Sequence, residues 1–265
     1  MSARRSDHDV PLRRKPPKFR RVTVRRVAEL TPRMRRIVLA GPELDGMEVA
    51  EPAASVRLLL PRHDGTLELP GWTGNQFELA DGARAPIRTF TPRHHDPATN
   101  ELTIDVVAHG DGAASGWAAA TQPGDEVAVS GPGRGYEVTT TATSYLLAGD
   151  ESAIPAIDQL LEEFADRVPE LPVTALIEVA DPSARVALHA GPSTTVRWLD
   201  LPDDAPPGTA LFEAIERLDD LPEVVWVAGE AASMQRIRKH LFGERGLNRS
   251  QATVRGYWKL GRSAT

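Results

Sequence analysis

The 265-residue chain is long enough for one large domain or two ordinary ones, and 41% apolar residues can supply a buried core. Its 31 basic and 37 acidic residues give a formal charge of -6, which offers no reason to expect nucleic acid or an anionic membrane as partner. The absence of cysteine excludes disulfides, thiolate catalysis and cysteine-held zinc or iron–sulfur centres, so redox chemistry would need a bound cofactor or a partner. No apolar run approaches the roughly 20 residues of a membrane span. The basic N-terminus lacks the apolar middle of a signal peptide, and a cytoplasmic location is expected.

From Arg4 to Arg21 there are eight basic residues against Asp7 and Asp9, interrupted by Pro11, Pro16 and Pro17. Residues 1–17 read as a flexible basic leader, with a docking arm for an acidic electron donor as the alternative. Residues 18–139 read as strands. Arg21–Val27 alternates apolar and polar; Arg35–Ala40, Ser55–Leu60, Ile87–Thr91, Glu101–Ala108 and Glu126–Ser130 follow, separated by Gly- and Pro-rich turns. Six short strands at fairly even spacing predict a small closed antiparallel barrel. Thr139–Ser144 reads as a hinge, and residues 144–265 change character. Strands at Tyr145–Ala148, Val173–Val179, Thr194–Leu199, Val224–Ala228 and Thr253–Trp258 alternate with helical patterns, which predicts a parallel α/β sheet with ligand loops at the strands' carboxyl ends.

Two clusters carry chemistry. In Pro86-Ile-Arg88-Thr89-Phe90-Thr91-Pro-Arg93, strand alternation puts Arg88 and Phe90 on one side and Thr89, Thr91 and Arg93 on the other. A guanidinium fork suits a diphosphate, an aromatic covers a ring system, and a hydroxyl hydrogen-bonds a ring nitrogen; ordinary surface arginines on an edge strand are the plain alternative. In Val106-Val107-Ala-His109-Gly-Asp-Gly112-Ala113-Ala114-Ser115-Gly-Trp117, a strand enters a glycine turn and then a helix start, where backbone N–H groups bind phosphate. A turn with a serine N-cap is the plain alternative here. Together the clusters favour a dinucleotide pyrophosphate between Arg88 and a helix N-terminus.

Several of these motifs resemble the siderophore-interacting protein family, flavin-dependent ferric-siderophore reductases of the ferredoxin–NADP reductase-like superfamily. Arg88-Thr-Phe-Thr91 is similar to the superfamily's Arg-x-Tyr-Ser/Thr flavin motif, and His109–Trp117 to the family's flavin-phosphate turn. Leu30-Thr-Pro-Arg-Met34 resembles its opening strands. Gly149-Asp-Glu-Ser-Ala-Ile-Pro155, Gly229-Glu-Ala-Ala, Glu244-Arg-Gly-Leu247 and Gly256-Tyr-Trp-Lys259-Leu-Gly261 resemble its α/β domain. The resemblance implies a six-stranded Greek-key barrel holding FAD, followed by an α/β domain that faces the electron donor. It implies Arg88 on the diphosphate, Phe90 against the flavin, Thr91 near the reactive ring nitrogen, and Gly112 to Ser115 as the phosphate turn. Thr89, Val107, His109 and Trp117 complete the implied cofactor set. Phe90 stands where the family has Tyr, which keeps stacking and loses a hydroxyl contact.

The implied activity is reduction of a ferric siderophore or other ferric chelate by NADH, NADPH or a reduced ferredoxin. On the donor side the candidates are Gly149, Ser152, Asp181 and Gly229. Asp150 and Glu151 stand where a pyrophosphate would approach, unless they serve as helix caps. Lys259, Arg255 and Arg57 are candidate cations for an anionic chelate. Tyr257 and Trp258 either cover the flavin or complete the core. His63, His94, His95 and His189 show no ligand spacing, and no metal site is expected. Another flavin or quinone reductase on the same scaffold, or a non-catalytic siderophore carrier, remain as alternatives.

Overall fold

The computed structural model describes residues 18–74, 76–108 and 112–261; the basic leader 1–17 and His109 lie outside these described residues. Strand β1 (Phe19–Thr31) buries Val22 and Val24 while Arg21, Thr23 and Arg25 face solvent, the period of two that its sequence carries. It pairs with β2 (Met34–Ala40), and β3 (Ser55–Leu59) follows after a loop. Two very short strands, β4 (Gly71–Trp72) and β5 (Phe77–Glu78), form a separate hairpin whose Phe77 packs edge-on against Phe19. Next come β6 (Ile87–Phe90), β7 (Pro92–Asp96), β8 (Glu101–Val107), helix α1 (Ala113–Ala120) and β9 (Glu126–Gly133).

These strands make one antiparallel sheet in the order β6-β3-β9-β1-β2-β8-β7. It has seven strands where the sequence predicts six. The addition is β7, an edge strand of Pro92, Arg93, His94, His95 and Asp96 with no apolar alternation to announce it. An edge tolerates its proline, whose missing N–H costs no ladder bond there. Val22, Ile37, Leu39, Leu58, Leu102, Ile104 and Val129 fill the interior of this sheet.

The second unit contains β10 (Tyr145–Asp150), α2 (Ile154–Arg167), β11 (Val173–Val179), β12 (Thr194–Asp200), α3 (Thr209–Glu216), β13 (Val224–Glu230), α4 (Ala231–Lys239) and β14 (Ala252–Trp258). Its five strands are all parallel, in the order β12-β11-β10-β13-β14. The order reverses between β10 and β13, the position in such a sheet where a crevice opens outside the strands' carboxyl ends. Helix α2 buries Ile154, Ile157, Leu160, Leu161 and Phe164 on one stripe against the sheet.

One apolar cluster crosses between the two units, joining Met34, Ala53 and Val138 to Leu147, Ile157 and Trp226. Polar ties surround it. Arg93 of β7 donates through Nη2 to Asp158 (2.6 Å) and Glu162 (2.6 Å) of α2, and Gln159 donates to the Pro92 carbonyl at 2.7 Å. His189 joins the same group, its Nδ1 lying 3.1 Å from Asp158. Asp158, Glu162 and His189 thus offer three potential ligand atoms within 4.8 Å of one another, a grouping that sequence spacing did not reveal. The guanidinium of Arg93 already pairs with both carboxylates, and a cation bound there would have to displace it.

Removing one partner of a buried ion pair leaves a charge without compensation. Arg93→Ala should therefore lower stability by about 3 kcal/mol, read as a fall in the denaturant midpoint with the slope unchanged.

Candidate functional site

Strand β6 runs antiparallel to β3 with Arg88 opposite Leu58, Thr89 opposite Arg57 and Phe90 opposite Val56. Cross-strand partners share a face, so Arg88 and Phe90 are turned toward the side of buried Leu58 and Val56. Thr89 and Arg57 point outward and are exposed. Phe90 packs against the barrel core, and Arg88 is half-buried. Burial, and then the neighbouring charge of Arg84, push the Arg88 guanidinium below its ordinary value. Such a site gains from an anion, which would relieve both effects.

Helix α1 begins at Gly112, which has no side chain to cap it, and no acidic residue occupies its first turn. A helix start whose N-cap residue makes no side-chain cap bond is the kind of place where backbone N–H groups meet phosphate oxygens. Ala113 is exposed, Ala114 half-buried and Ser115 buried within this turn. Trp117 packs on the barrel core, and its Nε1 is buried without a hydrogen-bond partner among the described residues. Val107, at the end of β8, packs into the apolar cluster between the units.

The α/β unit meets this region through the end of β14. Burial pushes the Tyr257 phenol above its ordinary pKa, while the neighbouring Arg255 guanidinium and the hydroxyl of buried Thr91 oppose that push. Tyr257 also stands edge-on to Trp226. Trp258 donates from Nε1 to Asp150 at 2.8 Å. Lys259 follows, exposed. Arg255, an expected substrate cation, is engaged with the main chain. Its guanidinium donates to the carbonyls of Ala53 and Gly135, both at 3.0 Å, and so ties β14 to the barrel side.

The carboxyl edge of the parallel sheet is lined by acids with internal work. Asp150 caps the turn after β10, accepting from the Ser152 backbone at 2.9 Å and from its hydroxyl, and it also accepts the Glu230 N–H at 2.8 Å. Burial pushes the Asp150 carboxyl above its usual range, and these donors oppose that push. Glu178, at the end of β11, accepts from the Gly208 and Leu211 N–H groups at the start of α3. Glu230 caps α4 through the N–H groups of Ala232 and Ser233. Glu151 accepts from Arg33 (3.0 Å) and from the Ala180 N–H (2.7 Å). The acidic turns are thus caps and domain ties.

Gly149 and Gly229 are likewise fixed by packing. A Cβ on Gly149 would stand 2.7 Å from the Ala228 carbonyl, and one on Gly229 would stand 2.6 Å from the Asp150 carboxylate. Ser152 is held by Asp150, and Asp181 caps its own turn through the Ser183 N–H. Arg33 escaped the sequence reading. Its only signal was its place in the Leu30–Met34 motif, and its contact with Glu151 spans 118 positions.

Residues 23–136 match the siderophore-interacting FAD-binding domain, and residues 142–261 match the siderophore-interacting protein family. The chain is 31% identical to the NADPH-dependent ferric-chelate reductase of Escherichia coli, covering 91% of this chain and 93% of that protein. It is 30% identical to the ferric vibriobactin reductase of Vibrio cholerae, with 86% and 84% covered. The crystal structure of a siderophore utilization protein from T. fusca superposes with a TM-score of 0.81 at 34% identity, covering 95% of this chain and 96% of that one. With its barrel, its half-buried Arg88 and its parallel second sheet, the chain belongs to the siderophore-interacting protein family and carries that family's FAD-binding domain.

Proposed function

We propose that this protein is a flavin-dependent oxidoreductase that reduces ferric siderophores or other ferric chelates and releases iron(II) in the cytoplasm. The observation that carries the reading is the approach of Tyr257 to Thr91, which brings the residue that follows the Arg88–Phe90 strand against the segment bearing Lys259. The cofactor strand and a solvent-facing cation therefore lie on adjoining pieces of chain. The names borne by the E. coli and V. cholerae relatives support the same substrate class.

FAD fits the residues present. Arg88 is a half-buried cation whose pKa burial lowers, α1 starts without a side-chain cap, and the Trp117 indole nitrogen lacks a partner among the described residues. When bound, FAD supplies storage for two electrons and their delivery one at a time. In this proposal Arg88 and the N–H groups of residues 112–115 hold the diphosphate, while Phe90 lies against the ring. Thr91, beside Tyr257, would offer its hydroxyl to the ring system, and Trp258 would close the side nearest the α/β sheet.

Lys259 draws an anionic chelate toward this junction, and Arg57 supplies a second exposed cation on the neighbouring strand. Each iron(III) takes one electron, so a two-electron reduced cofactor serves two chelates. Iron(II) binds hard oxygen ligands less tightly, and release follows reduction. No proton-transfer residue is required. The reductant is NADH, NADPH or a reduced ferredoxin. Asp150, Glu178 and Glu230 already occupy the helix starts at the sheet edge, so a dinucleotide donor would rely on cationic side chains rather than on those N–H groups.

Arg88→Ala should weaken FAD binding roughly tenfold to a hundredfold, measured by titration of the apoprotein with FAD while its melting temperature stays close to that of the parent. Lys259→Ala should raise KM for an anionic ferric chelate about threefold to tenfold at low salt, with kcat and flavin content unchanged. Added salt should shrink that difference, as screening requires.

A further inference from the structure

Two buried carboxylates outside the expected cofactor contacts hold the segment that leaves β14. Asp150 accepts the Trp258 Nε1–H at 2.8 Å, and Glu230 accepts the Leu260 N–H at 3.2 Å. The two acids are themselves coupled, since Asp150 also accepts the Glu230 N–H at 2.8 Å. The strand pairing slips at this point, so that Glu230 lies opposite Trp258 while Gly229 lies opposite Gly256. Trp258 and Leu260 are thus anchored on either side of Lys259. Between and beyond the anchors, Lys259 and Leu260 face solvent, and Leu260 at 59% is more exposed than Leu30, Leu69 or Trp72, the other large apolar residues on the described surface.

Single apolar residues on a surface are ordinary. This one differs because its own main chain is fixed by a buried acid, and because it adjoins a cation one residue away. It also stands three residues from Tyr257, which lies beside Thr91. A contact whose backbone is already ordered spends little conformational entropy on binding.

Building on the function proposed above, we infer that Asp150 and Glu230 are positioning residues for Trp258–Leu260, and that Leu260 is a specificity residue beside Lys259. The ligand class is a ferric chelate with an anionic iron core and an apolar periphery, such as aryl arms. Lys259 meets the charge and Leu260 the periphery. A small anionic chelate without such arms would use Lys259 alone.

The test uses the full-length, FAD-loaded protein with two probes, ferric tris(2,3-dihydroxybenzoate) and ferric citrate. Binding is read in the oxidised state from flavin fluorescence, so it does not depend on turnover. Leu260→Ser should raise Kd for the aryl chelate about fivefold and leave that for ferric citrate within about 1.5-fold. Trp258→Phe keeps a ring and removes the donor to Asp150. It should raise Kd for both probes about threefold, compared with the parent at matched FAD content and below the variant's own melting transition.

Equal Kd changes for the two probes in Leu260→Ser, or none, would overturn the specificity role. Unchanged affinities in Trp258→Phe would overturn the positioning role. A parent protein that binds both probes as described but reduces neither would refute the proposed function while leaving this assignment of contacts standing.

Discussion

The carboxylate of Asp150 is the constraint on which the rest of the site depends. It lies at the carboxyl end of β10, the strand beside which the sheet order reverses, and it is buried. A carboxylate removed from water must find donors, and here it finds four: the Ser152 backbone and hydroxyl, the Glu230 N–H and the Trp258 indole. Those four bonds fix the entry to α2, the end of β13 and the exit from β14. The geometry of that exit in turn decides where Tyr257 meets Thr91 and where Lys259 faces solvent. Of the two readings its sequence allowed, a carboxylate facing an incoming pyrophosphate or a cap of the following turn, the structure shows the cap.

The contrast between the two units follows from how each treats its helix starts. In the α/β unit, Asp150, Glu178 and Glu230 fill the N–H groups of the turns and helices after β10, before α3 and after β13. In the barrel unit α1 starts at a glycine with no acid in its first turn. In the function proposed above, the diphosphate is therefore held on the barrel side, by Arg88 and the start of α1. The second unit contributes shape, the C-terminal segment and the polar contacts through Arg33, Arg93, Gln159 and Arg255 that hold it to the barrel. A flavin-binding barrel tied to a self-capped sheet suits a protein that brings a large substrate to a bound cofactor.

Much of this architecture was legible in the sequence because it rests on local patterns. The alternation from Arg21 to Val27 sets the face of β1, and the apolar stripe from Ile154 to Phe164 marks α2. The Asp-x-Ser turn at Asp150–Ser152 could be read as a cap, and the outward face of Thr89 follows from its place beside Arg88. What escaped depends on distance in the chain or on short length. Strand β7 carries a proline, an arginine and two adjacent histidines, so it has no apolar period and forms only because β8 offers an edge. Strands β4 and β5 are two residues each. The ties of Arg93 to Asp158, of Arg255 to Gly135 and of Trp258 to Asp150 span 65 to 120 positions, and no local pattern encodes them. Arg255 shows this most plainly: its bonds to the Ala53 and Gly135 carbonyls join residues 202 and 120 positions apart.

The most direct test of the central claim is anaerobic mixing of the FAD-loaded, chemically reduced protein with a ferric siderophore, following flavin absorbance near about 450 nm together with trapped iron(II). The account predicts rapid return of the oxidised flavin band with about two iron(II) formed per FAD, as two-electron storage and one-electron delivery require. A flavin that stays reduced before ferric chelates and is reoxidised readily by a quinone would contradict it.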